Sequence, residues 1–270
     1  MRFLKQLILF VFVILISCKN QSGKYINTNL LLSDWVETTN NKVIYFEDSI
    51  LFQTILPYSE KVVKYFISYD TLIIYSDDFE YLPMKPSNQI FKYKILQNDP
   101  DKLTILQVIP KIADTLMFIP LRIDSSKYLS FNHLELSHGI CFGHCPAFDL
   151  KIDSDSMLYF YGYNRYVKHK GLFQHKLNPS EFEKIQRKFN YIDRDSFTLE
   201  YPSPGSGSYD FFIKYPQDSI DVSGTYSKSD RFNDFLLYLR YLDWILRIEP
   251  SDQEKIIFRD KSNYEMFIKN

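Results

Sequence analysis

From Leu30 to about Pro120 the chain sets short apolar and aromatic runs between turn residues. Val43-Ile44-Tyr45-Phe46, Lys64-Tyr65-Phe66-Ile67, Thr71-Leu72-Ile73-Ile74-Tyr75, Ile90-Phe91-Lys92-Tyr93-Lys94-Ile95 and Leu103-Thr104-Ile105-Leu106 are each of strand length, and no helical period lies between them. Runs of this kind predict an antiparallel meander or small barrel. Asp124-Ser125-Ser126-Lys127 reads as a linker, and the pattern then changes.

Phe131 to Leu136 reads as a strand. Phe148, Leu150 and Ile152 alternate with Asp149 and Lys151, the pattern of a half-buried strand. Asp153-Ser154-Asp155-Ser156 is a turn, Met157 to Tyr163 its hairpin return, and Gly171 to Leu177 a further strand. Asn178-Pro179-Ser180-Glu181 opens a helix, with Asn178 as cap, Pro179 in the first turn and Glu181 reaching back. Its apolar stripe is Phe182, Ile185, Phe189 and Ile192. Tyr209, Phe211, Ile213 and Tyr215 share one face of a strand that Ser219 to Ser223 can join. Ser229 or Asp230 caps a final helix carrying Phe232, Phe235, Leu236, Leu239, Leu242 and Ile245. The fold class predicted is α+β: a β meander or small barrel, then an antiparallel sheet with two helices.

The first residues follow a different logic. Arg2 and Lys5 precede an apolar run from Leu7 to Ile16, then Ser17 and Cys18. Ten apolar residues are half of the roughly 20 a spanning helix needs, and the order of cation, apolar core and small residue is that of a cleaved secretory leader. Leu15-Ile16-Ser17-Cys18 resembles the bacterial lipobox, and that resemblance implies cleavage before Cys18 and a lipid on its sulfur. The expected divisions are a signal peptide at 1–17, a lipidated polar tether at 18–29, a β domain at 30–122, an α+β domain at 128–250 and a C-terminal extension at 251–270. Loss of the leader removes Arg2 and Lys5 and no acid, so the formal charge of −1 falls by two. No concentrated basic surface marks a nucleic-acid partner. Abundant Lys, Asn, Ile, Phe and Tyr with little Ala resembles low-GC Bacteroidota.

Leu32-Ser33-Asp34-Trp35 before many strands resembles the opening of lipocalin-like bacterial lipoprotein domains, with Ser33 where those usually carry Gly. We take Trp35 as a core plug. The segment His138-Gly139-Ile140-Cys141-Phe142-Gly143-His144-Cys145-Pro146 is the most distinctive in the chain. Phe131 to Glu249 resembles a family of exported bacterial domains of unknown function whose hallmark is Cys-Phe-Gly-x-Cys-Pro, here Cys141, Phe142, Gly143, Cys145 and Pro146. Asp155-Ser156 stands where that family often has Asp-Gly. The resemblance implies architecture and an exported location, and no activity.

With Cys18 lipidated, Cys141 and Cys145 remain, and in an oxidising compartment they favour one local disulfide. Bridging needs Cα atoms within roughly 4.4–6.8 Å, so the segment must turn sharply, which Gly143 permits. So short a ring contributes about 2 kcal/mol. Three other readings stay open: a metal site of His138, Cys141, His144 and Cys145; a redox pair; and a nucleophilic cysteine with His138 or His144 as base.

Asp153-Ser154-Asp155-Ser156 lacks the Gly and Glu of a calcium loop and reads as a hairpin turn. Tyr163 to Lys170 is a basic aromatic segment that could meet glycan or anionic lipid headgroups, and reads first as a solvated loop. Asp followed by Ser or Thr and an apolar residue recurs at Ser49, Thr71, Thr115, Ser156 and Ser219. The pattern resembles the O-glycosylation acceptor of Bacteroidota, and turn-to-strand junctions favour the same order of residues. The expectation is a lipid-anchored cell-envelope protein without cofactor. Its role is to bind an envelope protein, glycan or small ligand, and the alternative is a metal- or thiol-dependent periplasmic enzyme centred on Cys141 and Cys145.

Overall fold

The computed structural model describes residues 33–39, 43–47, 50–53, 62–75, 90–109, 114–123, 128–139, 146–164, 167–192, 196–200, 208–225, 227–253 and 256–259. The chain divides into two compact units, with the boundary between Pro120 and Leu121. Both are built on antiparallel sheet, and among the described residues helices occur only in the second, so the class is α+β and mostly β.

The first unit holds β1 (Asp34–Glu37), β2 (Val43–Glu47), β3 (Ile50–Gln53), β4 (Val62–Ser68), β5 (Thr71–Tyr75), β6 (Ile90–Asp99), β7 (Lys102–Ile109) and β8 (Thr115–Pro120). Each strand pairs with its neighbours in sequence, and β1 also pairs with β8, Trp35 lying opposite Pro120. The result is a closed barrel, which leaves none of the free edges of an open meander. The two-residue period sends Leu72, Ile74, Phe91, Tyr93, Ile95, Leu103 and Ile105 inward, where they pack with Phe46, Phe118 and Trp35. Trp35 is 1% exposed, a core plug as the sequence suggests. Its indole N–H is buried without a hydrogen-bond partner among the described residues, a cost of about 1–3 kcal/mol that burial of the ring offsets.

The second unit holds β9 (His133–His138), β10 (Phe148–Ile152), β11 (Met157–Gly162), β12 (Gly171–Lys176), α1 (Pro179–Phe189), β13 (Tyr209–Tyr215), β14 (Asp218–Gly224), α2 (Asp230–Arg240), α3 (Leu242–Ile245) and β15 (Glu249–Pro250). The strands form one sheet in the order β14-β13-β9-β10-β11-β12-β15. Phe211, Leu136, Leu150 and Phe160 lie opposite one another in a row across its apolar face. From α2, Phe232 and Phe235 meet Phe211 at 5.2 and 6.1 Å between ring centroids, and Phe235 meets Phe189 of α1 at 6.0 Å. The helices therefore cover the apolar face that the strand pattern creates.

Local chemistry explains the boundaries. Asn178 accepts from the Glu181 amide at 3.0 Å and Glu181 accepts from the Asn178 amide at 2.8 Å, so the capping box forms as the sequence predicts. Ser229 rather than Asp230 caps α2, accepting from the Phe232 amide at 3.3 Å. The last helix breaks at Tyr241 and continues as the short α3.

Three expectations are corrected. Strand β9 starts at His133, not Phe131, because the preceding backbone pairs with α1 side chains. The Phe131 amide donates to Gln186 at 3.1 Å, and Gln186 donates to the Phe131 carbonyl at 2.8 Å. Asn190 makes the same two-way pairing with Leu129, at 2.6 and 2.8 Å. Strand β10 is not half-buried: Asp149, on its polar side, is 0% exposed and accepts a hydrogen bond from the Tyr163 hydroxyl. The segment after β11 is not simply solvated, since Tyr163 and Val167 are buried. It closes in because Gly162 has no side chain; a Cβ there would collide with the His169 carbonyl and with Val167.

The β10–β11 turn closes with Asp153 N–H to the Met157 carbonyl at 2.9 Å and Ser156 N–H to the Asp153 carbonyl at 2.8 Å. It places Ser156 at φ 63°, the left-handed region that favours glycine. We predict that Ser156→Gly raises unfolding free energy by about 1 kcal/mol, read from urea denaturation. An unchanged or lower midpoint would show that the turn is not strained.

Candidate functional site

The distinctive segment joins β9 to β10, whose ends His138 and Phe148 lie opposite one another. Ile140 to Cys145 lie outside the described residues, so the structure gives no placement for Cys141, His144 or Cys145, nor for Cys18 or Ser49. Both flanks of the loop are clamped. His138 Nδ1 donates to the Pro146 carbonyl, and the Gly139 amide donates to the Ser208 carbonyl at 2.8 Å. The Ala147 amide donates to Asn164 Oδ1 at 3.3 Å, and the Ala147 carbonyl accepts from the Tyr163 amide at 2.9 Å.

His138 is 3% exposed and sits between Tyr209 and Phe148, at 4.4 and 5.8 Å between ring centroids. Burial, and then the Arg240 guanidinium, push its pKa down to about 4 against the pull of the Pro146 carbonyl. A carbonyl only accepts, so the neutral ring carries its proton on Nδ1. Of the four residues in the candidate metal group, His138 is the one described, and one ring nitrogen already serves the backbone.

A polar cluster that sequence reasoning missed lies on the opposite face of the sheet. His133 Nδ1 is 3.0 Å from Asp153 and its Nε2 is 2.8 Å from Glu135, while Lys151 is 3.2 Å from Asp153. Burial would raise the Glu135 carboxyl. Hydrogen bonds from His133 and the Arg259 amide, helped by the charge of Lys151, hold it below the usual carboxylate range. The residues come from two strands and the C-terminal segment, and only register brings them together. The faint signal was His133-x-Glu135, which in a strand shares one face. Asp153 and Asp155, the calcium-loop candidates, are otherwise engaged: Asp153 holds His133 and Lys151, and Asp155 accepts from the Met157 amide at 3.1 Å.

The basic aromatic segment supplies a third group. Asp243 of α3 is 1% exposed, and burial raises its carboxyl pKa against the opposing pull of His169 and Lys168. His169 Nδ1 stands 3.7 Å from Asp243 Oδ2, beyond hydrogen-bond reach, and Lys168 lies 5.4 Å over the Trp244 ring.

The four described Asp-Ser/Thr positions occupy turn-to-strand junctions. Thr71 opens β5, Thr115 opens β8, Ser156 precedes β11 and Ser219 is the second residue of β14. Three of the Asp side chains serve local groups: Asp70 accepts from Thr71 Oγ1 at 3.2 Å, Asp155 from the Met157 amide at 3.1 Å and Asp218 from the Ser219 amide at 2.8 Å. These junctions are where turn chemistry favours this order of residues.

Residues 132–241 match the model of a family described as a domain of unknown function, DUF6438. The match runs from the residue before β9 to the end of α2. It leaves out the barrel, α3, β15 and the segment beyond. No curated protein matches the chain.

In the unfolded chain His138 titrates at its ordinary value of 6.5, and in the fold at about 4, so the unfolded state takes up the proton first. Stability is therefore complete above pH 6.5 and falls as the pH drops towards 4, by roughly 3 kcal/mol from this residue. Urea denaturation from pH 7 to 4 should show this slope in the parent chain and a shallower one in His138→Phe. Equal slopes would remove His138 as the cause.

Proposed function

We propose that this protein is a lipoprotein of a bacterial cell envelope, held to a membrane by lipid on Cys18, whose folded part binds a partner and catalyses nothing. The observation that carries the anchoring is the run of cations, short apolar core and Leu15-Ile16-Ser17-Cys18 at the start of the sequence. Among the described residues no helix is long and apolar enough to cross a membrane. Each buried methylene of the lipid's acyl chains contributes roughly 0.8 kcal/mol.

The reading includes a structural disulfide between Cys141 and Cys145, resting on their spacing in the sequence and an oxidising compartment. The two described ends of the segment that carries them, His138 and Phe148, lie opposite one another on adjacent strands. The buried, backbone-bound state of His138 favours this structural reading of the segment over a catalytic one. The partner would be an envelope protein, glycan or small ligand, and not a nucleic acid. Sugar on the exposed Thr115 or Ser219 fits the same location, and would add mass to protein from its native host.

The test is expression in a bacterial host fed labelled palmitate. The parent chain takes up label and sediments with membranes, and Cys18→Ala does neither. Label and sedimentation retained by Cys18→Ala would end the anchoring reading. In the same preparations Cys141 and Cys145 resist alkylation until reduced, whereas a bound metal or two free thiols would replace the disulfide with a reactive centre.

A further inference from the structure

The polar face of the second sheet is contacted by described residues of the chain's own C-terminal segment. Gln174, Tyr159, Lys151, Glu135, Phe212 and Asp221 lie opposite one another in a single register row from β12 to β14. Ser251, Gln253 and Arg259 each contact that row. The Ser251 hydroxyl donates to Gln174 at 2.8 Å and Gln253 donates to the Tyr159 hydroxyl at 3.4 Å. The Arg259 amide donates to Glu135 at 2.6 Å, and its guanidinium lies 4.2 Å over the Phe212 ring and pairs with Asp221. Three gaps of about 4.8 Å separate β12 from β9, about 14 Å in all, and the Arg259 side chain spans the rest of the row to β13 and β14.

The far end of the row is a receptor for a guanidinium. An aromatic ring provides the face, and Asp221 and Glu135, with Asp210 nearby, provide negative charge. The occupant is held lightly. The Arg259 and Asp221 side chains are 47% and 53% exposed, and Ile257 is 69% exposed, leaving Phe258 as the buried anchor. Exposed ion pairs of this kind are weak. The acceptor face lies within the residues matched to the domain family, and the occupant lies beyond them.

We propose that this row is a docking track for an extended, arginine-bearing peptide segment of a partner protein, and that the C-terminal segment occupies it in cis until displaced. The proposal deepens the binding role inferred above and does not need the lipid anchor. It is therefore tested on the full chain carrying Cys18→Ala, where its failure leaves the anchoring question untouched.

The probe is a labelled synthetic peptide of residues 251–270, with binding read by fluorescence polarisation. Arg259→Ala in the chain weakens the tethered competitor, so this variant binds the peptide at least about fivefold more tightly than the parent. The same peptide carrying Arg259→Ala competes at least about fivefold less well. Adding Asp221→Asn to the Arg259→Ala chain lowers binding of the unaltered peptide by a similar factor. Equal affinities of parent and Arg259→Ala chains, or no saturable binding to Arg259→Ala, would overturn the proposal. Circular dichroism checks that Arg259→Ala folds. If it does not, Arg259→Lys takes its place, because lysine lacks the planar fork that stacks on Phe212.

Discussion

The register of β9 against β10 and β13 decides what each face of the second unit carries. It puts Leu134, Leu136 and His138 beneath the helices and His133, Glu135 and Ser137 on the polar side. A slip of one residue would exchange the two sets, burying a histidine and a carboxylate among phenylalanines. Both ends of the strand are fixed by side chains. Gln186 of α1 and Asn190, its C-cap, pair with the backbone just ahead of the strand, and His138 ties its far end to Pro146. These are hydrogen bonds to buried backbone groups, whose loss would leave donors and acceptors unpaired.

The barrel meets the same problem by closure. Its strand β1 meets β8, so no edge is left to specify. Large rings and branched side chains occupy the interior, with Trp35, Phe46, Tyr93 and Phe118 all essentially inaccessible. A core built from such residues tolerates one unpaired indole N–H because the area buried outweighs it.

Function in the second unit is divided between its faces. Burial keeps His138 neutral and tied to the backbone on the apolar side. The polar side gathers His133, Glu135, Lys151, Asp153, Phe212 and Asp221 into a surface that recognises charge and a planar cation. The loop carrying Cys141 and Cys145 begins and ends on this sheet, so a crosslink there would stiffen the end of both faces.

Elements set by local chemistry were legible from the residues alone. The period-two runs, the Asn178–Glu181 capping box, the Asp153–Ser156 turn and the stripes of α1 and α2 depend on neighbours within a few positions, so their spacing carries them. What only the tertiary structure decided depends on partners far apart in sequence. The start of β9 is set by Gln186 and Asn190, more than fifty positions away. The burial of Asp149 needs Tyr163, and the approach of residues 167–169 needs the absent side chain of Gly162. The polar row joins β12 to β14 and the C-terminal segment through register, which no single window of the chain contains. The proposal of export and lipidation rests on the sequence alone, because such a signal is read from a linear stretch, whereas a binding face exists only once strands are paired.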